Sequence, residues 1–267
     1  MQTIIERHGF DPAYDADNGS RFLTGNGYMG VRGTICEAGA EQMAAVNLAG
    51  IHHQKGDSWE EPLNAPNPLY LHVEGASLPE NSPQLTAYRL ALDISCGLFT
   101  RESTFALEDG QLSLRQERFC CMDQVHLLAQ RVTLCADHDC TVAVAYGADE
   151  TVWDIHGPHY DSLTRVEKGG VFALTGETDT RQRVSTAIKA TCTGGEFLHG
   201  GIRVIQVNLQ AQHPWTLEII AAIYTTNDCG KRDSICQKRR TCTSFLKTYV
   251  RVPVALAKNM CYTDRVR

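Results

Sequence analysis

From Tyr88 onward, apolar and polar residues alternate in short runs. Leu90, Leu92 and Ile94 alternate with Arg89, Ala91 and Asp93, the period of a strand that rests one face on a core. Ser95-Cys96-Gly97 turns the chain into a second strand over 98–105. Asp109-Gly110 then marks a hairpin into 111–119, with Leu112 and Leu114 on one face and Ser113 and Arg115 on the other. The same reading predicts strands over 127–134, 141–146, 170–175, 184–191, 202–209 and 217–225. No run of helical period interrupts them, and short strands at regular spacing predict an all-β sandwich.

Upstream of Tyr88 the pattern changes. Glu61-Pro62-Leu63-Asn64-Ala65-Pro66-Asn67-Pro68 reads as a long connecting loop, and such loops tend to carry function, so it is a candidate rim. After Thr226 the alternation stops, and 234–257 has the composition of a basic helix that runs to Val250 before Pro253 ends it. The expected division is a β domain over 1–228 and a basic tail over 229–267.

Composition narrows the class. With 43% hydrophobic and 21% charged residues, the chain has the makings of a full core in a soluble protein. No apolar run approaches the ~18 residues of a membrane helix, and the first residues lack the apolar centre of a signal peptide, so a cytoplasmic protein without membrane partners is expected. The net charge of -6 hides an asymmetry, because ten basic residues after Gly230 face only Asp233 and Asp264. A docked or solvated tail explains that asymmetry better than a nucleic-acid arm. The 11 cysteines form no C-x-x-C pair, which favours reduced thiols over a disulfide framework or a zinc ribbon.

One segment stands out. In Gly25-Asn26-Gly27-Tyr28-Met29-Gly30-Val31-Arg32-Gly33, Gly25, Gly27 and Gly30 match a dinucleotide fingerprint. Such a turn needs a helix N-terminus directly behind it to hold the pyrophosphate. Val31 to Cys36 is β-branched and glycine-broken, and no acidic residue stands near Ala45 for a ribose. The dinucleotide reading therefore fails.

The same segment resembles the "LGNGYLGVRG" signature of glycoside hydrolase family 65, inverting phosphorylases of maltose, trehalose, kojibiose and similar α-glucosides. Phe10-Asp11-Pro12, Arg89 to Ile94 with Gly97 to Arg101, and Glu117-Arg118-Phe119 with His126 to Ala129 agree with the family in order. Val152-Trp153-Asp154-Ile155-His156-Gly157-Pro158-His159 is similar to its "WDINGPH" stretch, with His156 where Asn is usual. The resemblance covers roughly 8–225 and one domain. It implies a large antiparallel super-sandwich of the galactose mutarotase type that braces a catalytic (α/α)6 barrel, shapes its sugar site and joins a homodimer interface.

In that family the catalytic acid and the phosphate-binding residues lie on the barrel, and none of those segments is in this sequence. The resemblance thus transfers no catalytic residue and no cofactor, with inorganic phosphate as co-substrate of the whole enzyme and an α-glucoside as its sugar. Within the chain, Trp153, Asp154, His156 and His159 combine an aromatic platform with polar tips suited to a sugar, or they form a loop packed on the barrel. A metal pair at His156 and His159 lacks a third ligand and a helix, so no metal is expected. Tyr28 and Arg32 are candidates for substrate or barrel contact, against a reading in which Tyr28 fills the core and Arg32 pairs with a carboxylate. Trp59, beside Glu60, Glu61 and the His52-His53 pair, is a further sugar-contact candidate. Two rival readings are a stand-alone carbohydrate-binding module and an aldose-epimerase-like enzyme, which needs a His and a carboxylate across an open sheet face.

Overall fold

A computed structural model describes residues 3–54, 56, 59–192 and 201–228. The tail expected over 229–267 lies outside the described residues. The first part of the chain carries β1 (Ile4–His8), the short helix α1 (Asp15–Arg21), β2 (Thr24–Gly25), β3 (Met29–Val31), β4 (Val46–His53), β5 (Glu61–Ala65) and β6 (Asn67–Val73). Then follow β7 (Leu85–Asp93), β8 (Leu98–Leu107), β9 (Gly110–Cys120), β10 (Leu127–Ala136), β11 (Cys140–Asp149), β12 (Ser162–Lys168), β13 (Val171–Glu177), β14 (Arg183–Cys192), β15 (Ile202–Leu209) and β16 (Trp215–Thr225).

Nine strands form one sheet in the order β1-β7-β8-β9-β10-β16-β14-β13-β12. The second layer consists of a three-stranded sheet, β15-β11-β6, and a four-stranded sheet, β2-β3-β4-β5. Every pairing among the described residues is antiparallel. The layers meet where β5, β6 and β11 reach β14, where β15 reaches β10, and where β2 and β3 reach β9. The core between them takes Phe99, Phe105, Leu112, Leu114, Val132, Leu134 and Leu217 from the large sheet, and Leu63, Leu71, Val73, Val144, Ile205 and Val207 from the small ones.

The strands expected from Tyr88 on are present, and so is the sandwich. The Pro-rich segment differs from expectation: 61–68 is no long loop but β5 and the start of β6, joined at Pro66. Proline removes a ladder donor and is tolerated at sheet edges. Pro62 lies on β5, the edge of the four-stranded sheet, and Pro68 on β6, the edge of the three-stranded one. Leu63, Leu69 and Leu71 are buried, so apolar alternation runs beneath the prolines. The short helix α1 has no clear signal in the sequence, since Asp15, Asp17, Asn18 and Gly19 are weak helix formers.

The sandwich interior is not wholly apolar. Arg101 is fully buried and holds Glu37 through two bonds, at 2.5 and 2.9 Å. Glu37 Oε1 also accepts the Leu78 N–H at 3.1 Å, and Arg101 Nε donates to Ser103 at 3.1 Å. Nearby, Arg118 lies 3.9 Å over the Phe99 ring and donates to the Arg32 carbonyl at 2.8 Å. Burial pushes the Cys36 and Cys120 thiols up to about 11, so both stay protonated at neutral pH. Among the described residues Cys36, Cys120 and Cys121 are buried and Cys96 is exposed.

Candidate functional site

The signature run is a β-hairpin, β2 to β3, with no helix behind it. Asn26 holds the turn. Its Oδ1 accepts the N–H groups of Tyr28 and Met29, at 3.1 and 3.0 Å. Its Nδ2 donates to the carbonyls of Cys121 and Val125, at 2.8 and 2.9 Å. One side chain thus closes the hairpin and ties it to the β9–β10 turn. Gly27 sits at φ +83°, a left-handed conformation that costs other residues energy. Gly33 is required for space instead, because a Cβ there would lie 2.4 Å from Phe22 Cβ and 2.6 Å from the Asn18 carbonyl oxygen.

Tyr28 is half-buried and packs against the margin of the core; its ring meets His126 edge-on at 4.3 Å, and its hydroxyl donates to Asp228 at 2.6 Å. His126 in turn stacks on Tyr224 at 4.0 Å. The same Asp228 oxygen accepts the Thr225 N–H at 2.7 Å and its hydroxyl at 3.0 Å. Asp228 follows β16, the last strand among the described residues, so the signature tyrosine fastens the end of that strand. Arg32 has no carboxylate partner among the described residues. It donates to the Ala16 carbonyl at 2.9 Å, lies over Gly19 and faces the Trp153 ring at 5.8 Å. Close packing against α1 takes the place of the expected ion pair.

The segment Trp153–His159 runs along β5, whose polar residues face it. Asn64 donates to the Trp153 carbonyl at 2.6 Å and to Asp154 Oδ1 at 3.3 Å. Asp154 Oδ2 accepts the His159 N–H at 3.2 Å. Burial raises the Asp154 carboxyl above its ordinary range, against the downward pull of the His159 N–H, the His159 and His53 rings and Asn64. Glu61 receives both histidines: His159 Nε2 at 2.9 Å on one oxygen and His156 Nδ1 on the other. The His159 ring also meets His53 edge-on at 5.2 Å, and His53 reaches Thr180 and Asp179 at the β13–β14 turn.

Two of the four residues in that segment are therefore anchors. Asp154 and His159 are buried and hydrogen-bonded, whereas His156 is 57% exposed at its side chain and Trp153 is half-buried. Trp59 stands 83% exposed just ahead of β5, and Ile155 is 61% exposed. The outward set is thus Trp59, Trp153, Ile155 and His156. Glu61, Asn64 and His53 contact the Trp153–His159 segment. Glu61 and the His52-His53 pair stand beside Trp59 in the sequence without an assigned role, and Asn64 is signalled only by its polarity within a strand that buries it. No cluster of His, Cys, Asp or Glu among the described residues is arranged to hold a metal.

A second feature lies on the outer face of the nine-stranded sheet. There Arg115, Glu117, Arg131, Thr133, Thr216 and Glu218 border a groove of about 550 Å3. Among the described residues no histidine lines it. No helix among the described residues is long and apolar enough to cross a membrane.

Comparison with known proteins identifies the fold and the signature together. Residues 5–251 match the family model described as glycosyl hydrolase family 65, N-terminal domain. Nigerose phosphorylase of Lachnoclostridium phytofermentans is 43% identical over 165 residues, which is 61% of this chain and 22% of that protein. The 1,2-alpha-glucosylglycerol phosphorylase of Bacillus selenitireducens is 29% identical over 84% of this chain and 31% of its own length. A solved structure, described as a candidate kojibiose phosphorylase from human microbiome, superposes with a TM-score of 0.75 at 17% identity. That superposition covers 86% of this chain and 33% of the other, and shows the shared fold. The chain thus spans between about a fifth and a third of the length of these relatives. The chain belongs to glycosyl hydrolase family 65, whose N-terminal domain it carries.

Proposed function

We propose that the chain is the non-catalytic, strand-built part of an inverting α-glucoside phosphorylase, bracing a catalytic (α/α)6 barrel and lending residues to the rim of its sugar site. The observation that carries this reading is the clamp of Tyr28 and Thr225 on Asp228. It fixes Asp228 at the end of β16, and a fixed strand end helps to orient the polypeptide attached to it. Asn227 adds a bond to the Gly50 carbonyl of β4 at 2.5 Å. From β4 the contacts continue through His53 and His159 to Glu61 and His156.

The outward set then has a role as a surface against the barrel and its sugar. Trp59 and Trp153 offer apolar faces to a pyranose ring and His156 a directed hydrogen bond. Arg32 steadies Trp153 from behind, and Asp154 and His159 hold the loop. A glycosidic phosphorolysis needs an acid to protonate the leaving oxygen and a phosphate held in line, and both are assigned here to the barrel. Linkage is also left to the barrel.

Reconstitution tests this reading. The purified chain alone is expected to leave nigerose, kojibiose and maltose intact in the presence of inorganic phosphate. Added to a nigerose phosphorylase deprived of its own N-terminal domain, it is expected to restore glucose 1-phosphate release. Turnover by the chain alone would overturn the reading, and so would a failure to restore activity despite a folded partner.

A further inference from the structure

We infer that the groove on the outer face of the nine-stranded sheet is a binding site for a neutral oligosaccharide, separate from the rim of the Trp153 segment. Register builds it. Glu117 on β9 stands opposite Arg131 on β10, which stands opposite Glu218 on β16. In the next exposed row Arg115 stands opposite Thr133, and Thr133 opposite Thr216. The side chains that line the groove therefore sit on central strands, where the ladder fixes their positions better than a loop would.

The chemistry selects the ligand class. Two guanidinium groups and two carboxylates among the described residues border the groove, and they are paired: Arg131 donates twice to Glu218 Oε1, at 3.0 and 2.9 Å, and Arg115 donates to Glu117 Oε1 at 2.9 Å and to Glu102, beside the groove, at 2.5 Å. Among the described lining residues the charges balance, which gives an anion or a cation no net attraction. The second oxygen of Glu117 and of Glu218 accepts no hydrogen bond among the described residues. These two acceptors flank Arg131 across two strand steps, roughly 10 Å. A sugar hydroxyl both donates and accepts, so it can give its proton to a free carboxylate oxygen and take one from the threonine row. A groove of about 550 Å3 is within the usual range for small ligands, and its polar border suits a polyol better than an apolar molecule.

The rest of the same face provides the control. The ladder continues away from the groove as Glu6–Arg89 at 2.7 Å and Arg89–Glu102 at 2.8 Å. That end has the same residue types and does not line the groove. Surface ion pairs of this kind contribute little to stability, so single substitutions at either end leave the fold intact.

Titration of the full chain with maltose and with cellobiose, read by calorimetry and by amide chemical shifts, tests the proposal. Saturable binding of one of them is expected, with shifts centred on β9, β10 and β16. Glu218→Gln and Thr216→Val should each weaken it about tenfold, the loss of one hydrogen bond to a charged group or of one hydroxyl contact, while Glu6→Gln should leave it unchanged. Absence of binding by both sugars would overturn the proposal. So would equal affinity in Glu218→Gln and wild type, or displacement of the bound sugar by inorganic phosphate.

Discussion

Glu61 and His159 are 98 residues apart in sequence, yet their side chains meet at 2.9 Å and both are almost wholly buried. The pair fastens the Trp153–His159 segment to the edge of the four-stranded sheet. Removing one member of a buried, hydrogen-bonded pair strands the other. Glu61→Ala is expected to lower the unfolding free energy by about 3 kcal/mol, with Glu61→Gln costing less because an amide oxygen still accepts from His159. Urea titrations of the three proteins check this. An unchanged midpoint for Glu61→Ala would show that the segment is held without the carboxylate.

Arg101 and Glu37 make the corresponding contact inside the sandwich. Arg101→Met alone leaves Glu37 buried without its cation and is expected to cost about 3–5 kcal/mol. The double variant with Glu37→Leu should recover a large part of that loss, because no charge is then left in the core. A double-mutant cycle measures the coupling, and strict additivity would contradict the geometry.

The signature glycines differ in kind and should differ in cost. Gly27→Ala places a methyl in open space at φ +83°, so its expected cost is the left-handed strain of about 1–2 kcal/mol. Gly33→Ala drives its Cβ into Phe22 and the Asn18 carbonyl, both in the packed connection between α1 and the hairpin. That variant should lose several times more stability or fail to fold, as circular dichroism and thermal melts would record. Equal melting temperatures for the two would refute the distinction.

Asp15 provides the pH dependence. Its carboxyl is raised above 3.8 by burial and, second, by the nearby Glu37, with Arg101 pulling the other way. A carboxyl whose pKa is higher folded than unfolded binds its proton more tightly in the native state. Its charged form therefore opposes folding fully above the folded pKa, and that opposition fades as pH falls through it towards 3.8. Asp15→Asn should accordingly be more stable than wild type at neutral pH, with the gap narrowing in acid. Denaturant melts across the pH range would show it, and a gap that widens in acid would reverse the assignment.

Amino-acid sequence by itself determined the strand-built class from Tyr88 onward and the family. Period-two alternation such as Leu90-Leu92 and Leu112-Leu114 is a local property, and the Gly25–Gly33 run is a contiguous one. Sequence also ruled out the dinucleotide turn, because the missing helix is a matter of local propensity. It misjudged 61–68, since whether a proline is compatible with a strand depends on whether that strand lies at an edge, and edges exist only once sheets have assembled. It named Asp154, His156 and His159 together but had no means of sorting them. Only the tertiary structure turned Asp154 and His159 inward and left His156 and Trp59 outward, because burial is decided by residues such as Glu61 and Asn64 that are distant in the chain. The same holds for Tyr28, whose partner Asp228 lies 200 residues away, and for the groove, whose rows exist only through the register of three strands.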